Sequence, residues 1–236
     1  MDNLQQMEQE KRVLHWGGLA GMFGGALFIL TFVVVIVGPV GVDDPAELAG
    51  WVTRFPDIQA ARVVENLIYL AALMLEVPLF LALYMALRRT SLAPALFGSV
   101  LGTLGLASMM FSSNPHVAHA AIFDFYHVPG ATAADQATIA LIWQAIWGMI
   151  DLATYVGFFI ISTSLIILGA GMNGSPDFGK RFGGVAMVLG VAGLAMAVLQ
   201  IIDPASMIGA GSYFAAIFFY FILGWKLFNL SRRSQG

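Results

Sequence analysis

Cysteine is absent from the chain, and its absence excludes disulfides, thiolate metal ligation and a cysteine nucleophile. Charge is scarce as well. Asp, Glu, Lys and Arg make up 11% of the 236 residues, against about 25% in an ordinary soluble domain. Such a chain cannot wet its own surface, because those residue types supply much of what faces water. There is no basic surplus either. The formal net charge is −3, so nucleic acid is not an expected partner, its phosphates having nothing to attract them. Long polar stretches are missing too, and residues 1–236 read as a single domain.

What is present is apolar: 59% of the residues. That surplus must face lipid, which makes the bilayer the first partner. The first apolar run follows Asp2, Glu8 and Glu10 and is too long for a signal-peptide core. It reads as a permanent span, not a cleaved leader.

A bilayer core about 30 Å thick takes about 20 residues of helix. Six segments reach that length: 16–40, 63–87, 92–112, 139–170, 182–202 and 207–227. The expected fold class is therefore all-α, a polytopic bundle of six transmembrane helices. The fourth segment is longer than a span needs, which implies tilt or a projecting end. Basic residues set the orientation. Lys11, Arg12, Arg88, Arg89, Lys180, Arg181, Lys226, Arg232 and Arg233 fall on one side of this topology, and only Arg54 and Arg62 on the other. The basic side, with both termini, is expected to be cytoplasmic. In the first outer loop, Asp44-Pro45-Ala46-Glu47 resembles a helix start. The apolar stripe of Leu48, Trp51 and Val52 after it predicts a short helix on the membrane surface.

Spans one, three and five begin alike, with Trp16-Gly17, Phe97-Gly98 and Phe182-Gly183, each followed by a second glycine at Gly24, Gly105 or Gly190. Glycines seven apart share a helix face and let a neighbouring backbone approach closely. The pattern predicts three parallel two-helix hairpin repeats, each about 80 residues long. The Pro-x-acid-x-x-base signature of mitochondrial carriers, which also use three hairpins, is absent.

The order of features resembles a family of bacterial six-span integral membrane proteins known only as a domain of unknown function. The features are an acidic, Ala-rich outer loop (Asp43-Asp44-Pro45-Ala46-Glu47) and a second span ending Leu81-Ala82-Leu83-Tyr84-Met85-Ala86-Leu87-Arg88-Arg89. A Gly-rich inner loop then leads to Lys180-Arg181. The chain has fewer basic residues around its inner loops than that family. The resemblance implies a fold and a bacterial inner membrane, and no activity.

Ionisable groups inside a span are costly and so mark candidate sites. Glu76 falls near the middle of span two beside Pro78, with Glu65 and Tyr69 on nearly the same face. Asp151 stands in span four, with Gln144 before it and Thr154 after it along one face. These six residues are candidates for a polar ion or ligand path. Glu76 is expected to face the interior as a neutral carboxyl bonded to the Asp151 face. The plainer reading is helix glue, and for Glu65 an interfacial place near Arg62. The second outer loop carries His116, His119 and His127 with Asp124. Their donors suit zinc or copper, but no established metal motif is present and ordinary interfacial histidines are expected. No phosphate-binding glycine loop or Ser-His-Asp arrangement can be placed on these helices, so neither catalysis nor a cofactor is expected.

The leading functional expectation is a small-solute or proton- or cation-linked transport or binding protein, with a cavity around Glu76 and Asp151. The alternative is a non-catalytic accessory subunit. Its glycine and aromatic faces would meet a larger membrane complex or a second copy of the chain. An intramembrane enzyme built on the outer histidines comes third.

Overall fold

A backbone in lipid must pair its own amides, and helix does so within one segment. The computed structural model describes residues 2–37, 48–203 and 210–232, with backbone alone for 2–4, 48–54, 114–121 and 210–216. The described elements are all helical: α1 (Asp2–Val37), α2 (Leu48–Leu87), α3 (Leu92–Tyr126), α4 (Ala133–Asn173), α5 (Gly179–Ile202) and α6 (Ala210–Arg232). Five of them, α1 to α5, are long and apolar enough to cross a membrane among the described residues. The expected sixth span begins in residues outside the description, and α6 has described side chains only from Ile217 onward.

Three helices far longer than a membrane crossing requires meet at one end, where Phe55 of α2, Phe123 of α3 and Trp143 of α4 pack together. α2 has 40 residues, α3 has 35 and α4 has 41. At 1.5 Å per residue the longest are about 60 Å, twice the hydrocarbon thickness. This corrects the expected surface helix. Asp44 to Glu47 lie outside the described residues, but Leu48 onward is the first part of α2, running unbroken through Pro56. Phe55 and Ile58 are buried against Phe123 and Trp143. The side chains of Leu48, Trp51 and Val52 lie outside the described residues, but the apolar positions that follow them on the same helix are covered by α3 and α4.

The α3–α4 turn is sharply specified. Gly130 takes a positive φ of 91°. Thr132 and Asp135 then form a capping box, Thr132 N donating to Asp135 Oδ2 at 3.0 Å and Asp135 N to Thr132 Oγ1 at 3.2 Å.

The opposite end gathers the basic residues. Glu10 Oε1 accepts from Arg88 and from Arg89 Nη2, the latter at 2.8 Å, tying the start of α1 to the α2–α3 turn. Ser91 Oγ donates to the Gly171 carbonyl at 3.2 Å, bringing the end of α4 to the same level. Lys11, Arg12 and Arg232 surround one further depression there.

Neighbours in sequence are neighbours in space from α1 through α5, α6 returns to pack on α1, and α2 also touches α4 and α6. The glycines make the contacts. Gly24 meets the Ala72 carbonyl and Glu76, Gly105 the Gly157 carbonyl and Ile161, and Gly190 the Ser162 carbonyl and Ile166. Each faces a carbonyl and the side chain four residues beyond it. The partner differs, however. Gly24 and Gly105 face the following helix, whereas Gly190 and Gly183 face the preceding one, α4. Among the described residues α5 barely touches α6, which uses Gly224 against Gly18 and Gly21 of α1. Two hairpins are alike, and the expected third is not. A glycine specifies close approach without specifying which helix approaches.

Candidate functional site

At the end of the bundle opposite the basic residues, α1 to α4 enclose a polar cavity of about 190 Å³. Its wall on α2 is Arg62, Glu65, Asn66 and Tyr69, spaced i, i+3, i+4 and i+7, so they form one stripe facing inward. Arg62 Nη1 lies 3.1 Å from Glu65 Oε2. The two residues are 5% and 8% exposed, so this is a buried ion pair. The guanidinium also sits 5.7 Å from the centre of the Trp147 ring on α4, a cation–π contact. Asn66 Nδ2 donates to the Arg62 carbonyl at 3.1 Å and braces the turn between them.

Hydroxyls, together with the apolar Phe28, Phe32 and Val35 of α1, complete the lining. Thr31 donates to the Leu27 carbonyl at 3.0 Å, Ser112 to that of Met109 at 2.7 Å, and Ser113 to that of Met110 at 2.8 Å. Each spends its proton on its own helix and keeps oxygen lone pairs for other donors. Thr154 Oγ1 approaches Ser112 Oγ at 2.9 Å and the Ile150 carbonyl at 3.1 Å, joining α4 to α3. The cavity thus combines acceptor oxygens with one buried cation–anion pair. At about 30 Å³ per water it has room for about six waters or one small solute.

Aromatic rings form a second cluster at this end. Phe55 stacks on Phe123 at 3.8 Å between centroids, Phe123 meets Trp143 at 5.0 Å, and Trp143 meets Trp147 at 5.3 Å. Deeper in, Tyr69 meets Phe28 edge-on at 5.7 Å.

Glu76 lies two helical turns below Tyr69 on the same face, about 10 Å further along α2. It is 0% exposed, and neither carboxyl oxygen has a hydrogen-bond partner. Its Oε1 occupies the space above Gly24, where an added Cβ would stand 2.5 Å away. Tyr220 of α6 is within electrostatic range of the carboxyl, and its own hydroxyl is buried without a partner.

Three of the six candidates therefore meet in the cavity: Glu65, Tyr69 and Thr154. Glu76 turns instead toward α1 and α6, which corrects the expected bond to the Asp151 face. Asp151 is half-buried beside Tyr155 and outside the cavity lining. Gln144 is exposed. The physical reason is the rotation of α4, which presents Thr154 inward and carries Gln144 outward. Sequence reading set Glu65 near Arg62 without counting Arg62 as a site residue, and passed over Asn66, Thr31, Ser112 and Ser113. The i, i+3, i+4, i+7 polar stripe on α2 was the available signal for Arg62 and Asn66.

The outer histidines fall differently. α3 is helical through positions 116 and 119, whose side chains lie outside the described residues. His127 caps α3, its backbone N–H donating to the Phe123 carbonyl at 3.1 Å. Its ring is exposed and lies 5.1 Å from that of Tyr126. Comparison with protein families, with characterised proteins and with solved structures gives no match for this chain.

Proposed function

We propose that the chain is a six-span protein of a bacterial inner membrane, both termini cytoplasmic, that binds and passes a small polar solute or a proton or cation. The observation that carries the reading is the cavity around the Arg62–Glu65 pair. A buried ion pair loses more hydration than a pair of apolar side chains would, and it is weak as a stabilising device. Within a membrane bundle such groups mark solute and ion paths. Glu76, deeper on the same stripe and without a hydrogen-bond partner, supplies a second polar station. The clustering of basic residues at the other end supports the orientation by the positive-inside rule, so the cavity opens outward. The family resemblance in the order of loops and spans supports the bacterial inner membrane.

The test is flux. The purified chain, reconstituted in vesicles with a pH dye inside, is exposed to small polar solutes and to imposed proton and sodium gradients. Gradient-dependent flux abolished by Glu65→Gln or Glu76→Gln supports the reading. Vesicles as tight as protein-free ones under every gradient and solute contradict it.

One observation favours an accessory subunit instead. The α3–α4 tip carries an apolar groove of about 560 Å³ with Ile122, Phe125, Ile139 and Ile142 in its wall, on helices longer than the bilayer requires. Co-purification with one fixed membrane partner, lost in Phe125→Glu, would select that alternative.

A further inference from the structure

At the basic end, α1 and α6 meet through Gly18, Gly21 and Gly224, which brings the first and last helices close enough for their cationic residues to share one depression. Lys11, Arg12, His15, Trp16, Ser231 and Arg232 line it, around a volume of about 500 Å³. The Arg232 guanidinium lies 4.5 Å from the centre of the Phe228 ring, and that ring is 4.9 Å from His15. His15 Nδ1 and Ser231 Oγ are 3.5 Å apart. Glu10, one of the acids of the first turns of α1, is committed to Arg88 and Arg89. Lys11 has a further interaction of its own; among the described residues no ion pair engages Arg12 or Arg232.

We infer that this depression binds the phosphate-bearing headgroup of an anionic phospholipid. Two guanidiniums offer forked donors that match phosphate oxygens, and the His15 ring joins them and Trp16 in the lining; the Ser231 hydroxyl donates to the Phe228 carbonyl at 2.7 Å and shapes the wall. The lipid source is favoured over a free anion by Trp16, which is 68% exposed on the rim. An exposed indole beside cationic residues at the start of a span is the side-chain arrangement of a membrane interface. Basic pockets between helices on the cytoplasmic side hold acidic headgroups by the same electrostatics. Held there, the lipid would bridge α1 to α6 at the level where both leave the membrane.

The experiment is native mass spectrometry of the intact chain released from mixed phosphatidylglycerol and phosphatidylcholine micelles. Phosphatidylglycerol is expected to be retained in preference, and Arg12→Gln or Arg232→Gln to lower that retention about fivefold each. Arg181→Gln, exposed at the same end but outside the depression, should leave it unchanged, and Arg12→Lys, which keeps the charge and loses the fork, should fall between wild type and Arg12→Gln. Should the Gln variants fail to fold, the wild-type preference and its competition by millimolar inorganic phosphate still decide. Equal retention of both lipids overturns the inference. So does an unchanged Arg12→Gln/Arg232→Gln double variant, or displacement of the lipid by inorganic phosphate.

Discussion

The Glu76 carboxyl lies over Gly24, in the space the missing side chain leaves: a Cβ on that glycine would stand 2.5 Å from Oε1 and 3.2 Å from the Ala72 carbonyl. The acid and the glycine therefore act as a pair. Gly24→Ala must push Glu76 aside or part α1 from α2, and the expected cost of such overpacking is about 1–3 kcal/mol. A thermal unfolding midpoint in detergent equal to wild type would show that Glu76 has other room.

Replacing Glu76 by Gln keeps the shape and removes the ionisable proton. The fold should survive with a change under about 1.5 kcal/mol, as for other volume-conserving swaps. A proton-coupled flux should be lost in the same variant. Flux that persists with its pH dependence intact would remove Glu76 from the path while leaving the cavity in place.

The Arg62–Glu65 pair makes a sharper energetic prediction. Arg62→Ala leaves a buried carboxylate uncompensated, at a cost of about 3–5 kcal/mol. Arg62→Met with Glu65→Leu removes both charges and should recover most of that stability. Denaturant unfolding of Arg62→Met, of Glu65→Leu and of the double variant that combines them checks it. Solute binding should be lost in all three, since none keeps the pair. A double variant as unstable as the worse single one would mean that the pair is held by more than its mutual charge.

Glu10 should matter little to global stability and more to local order. Its contacts with Arg88 and Arg89 are at the surface, where ion pairs contribute about 0–1 kcal/mol. Glu10→Ala is expected to leave the unfolding midpoint near wild type and to speed amide exchange in the first helical turns of α1. Unchanged exchange there would mean that the helix start is fixed by something else.

Much of the bundle was legible because lipid narrows the choices. Long apolar runs had to be helices, and the basic residues segregated to one end. The candidate stripe of Glu65, Tyr69 and Glu76 followed from helical spacing alone. What stayed hidden depends on neighbours. Phe55 and Ile58 have the same pattern whether lipid or α3 and α4 cover them. Helical spacing sets Glu65 near Arg62, but not the burial of the pair. Gly190 matches Gly24 and Gly105 in sequence, yet faces the preceding helix, α4, and not the following one. The facing of Gln144 and Thr154 hinges on the rotation of α4, which no local pattern encodes.

The absence of cysteine makes the most direct test clean, because any introduced thiol is unique. Thr154→Cys places one in the wall of the cavity, while Thr90→Cys places one in the exposed turn at the basic end. In sealed, right-side-out vesicles, a small charged impermeant methanethiosulfonate is added from outside and its incorporation is followed by mass. The cavity account predicts that the thiol at 154 is modified from outside and the thiol at 90 only after the vesicles are opened. A thiol at 154 that stays unmodified until the protein is unfolded, or is reached only from inside, would contradict an outward-opening polar cavity.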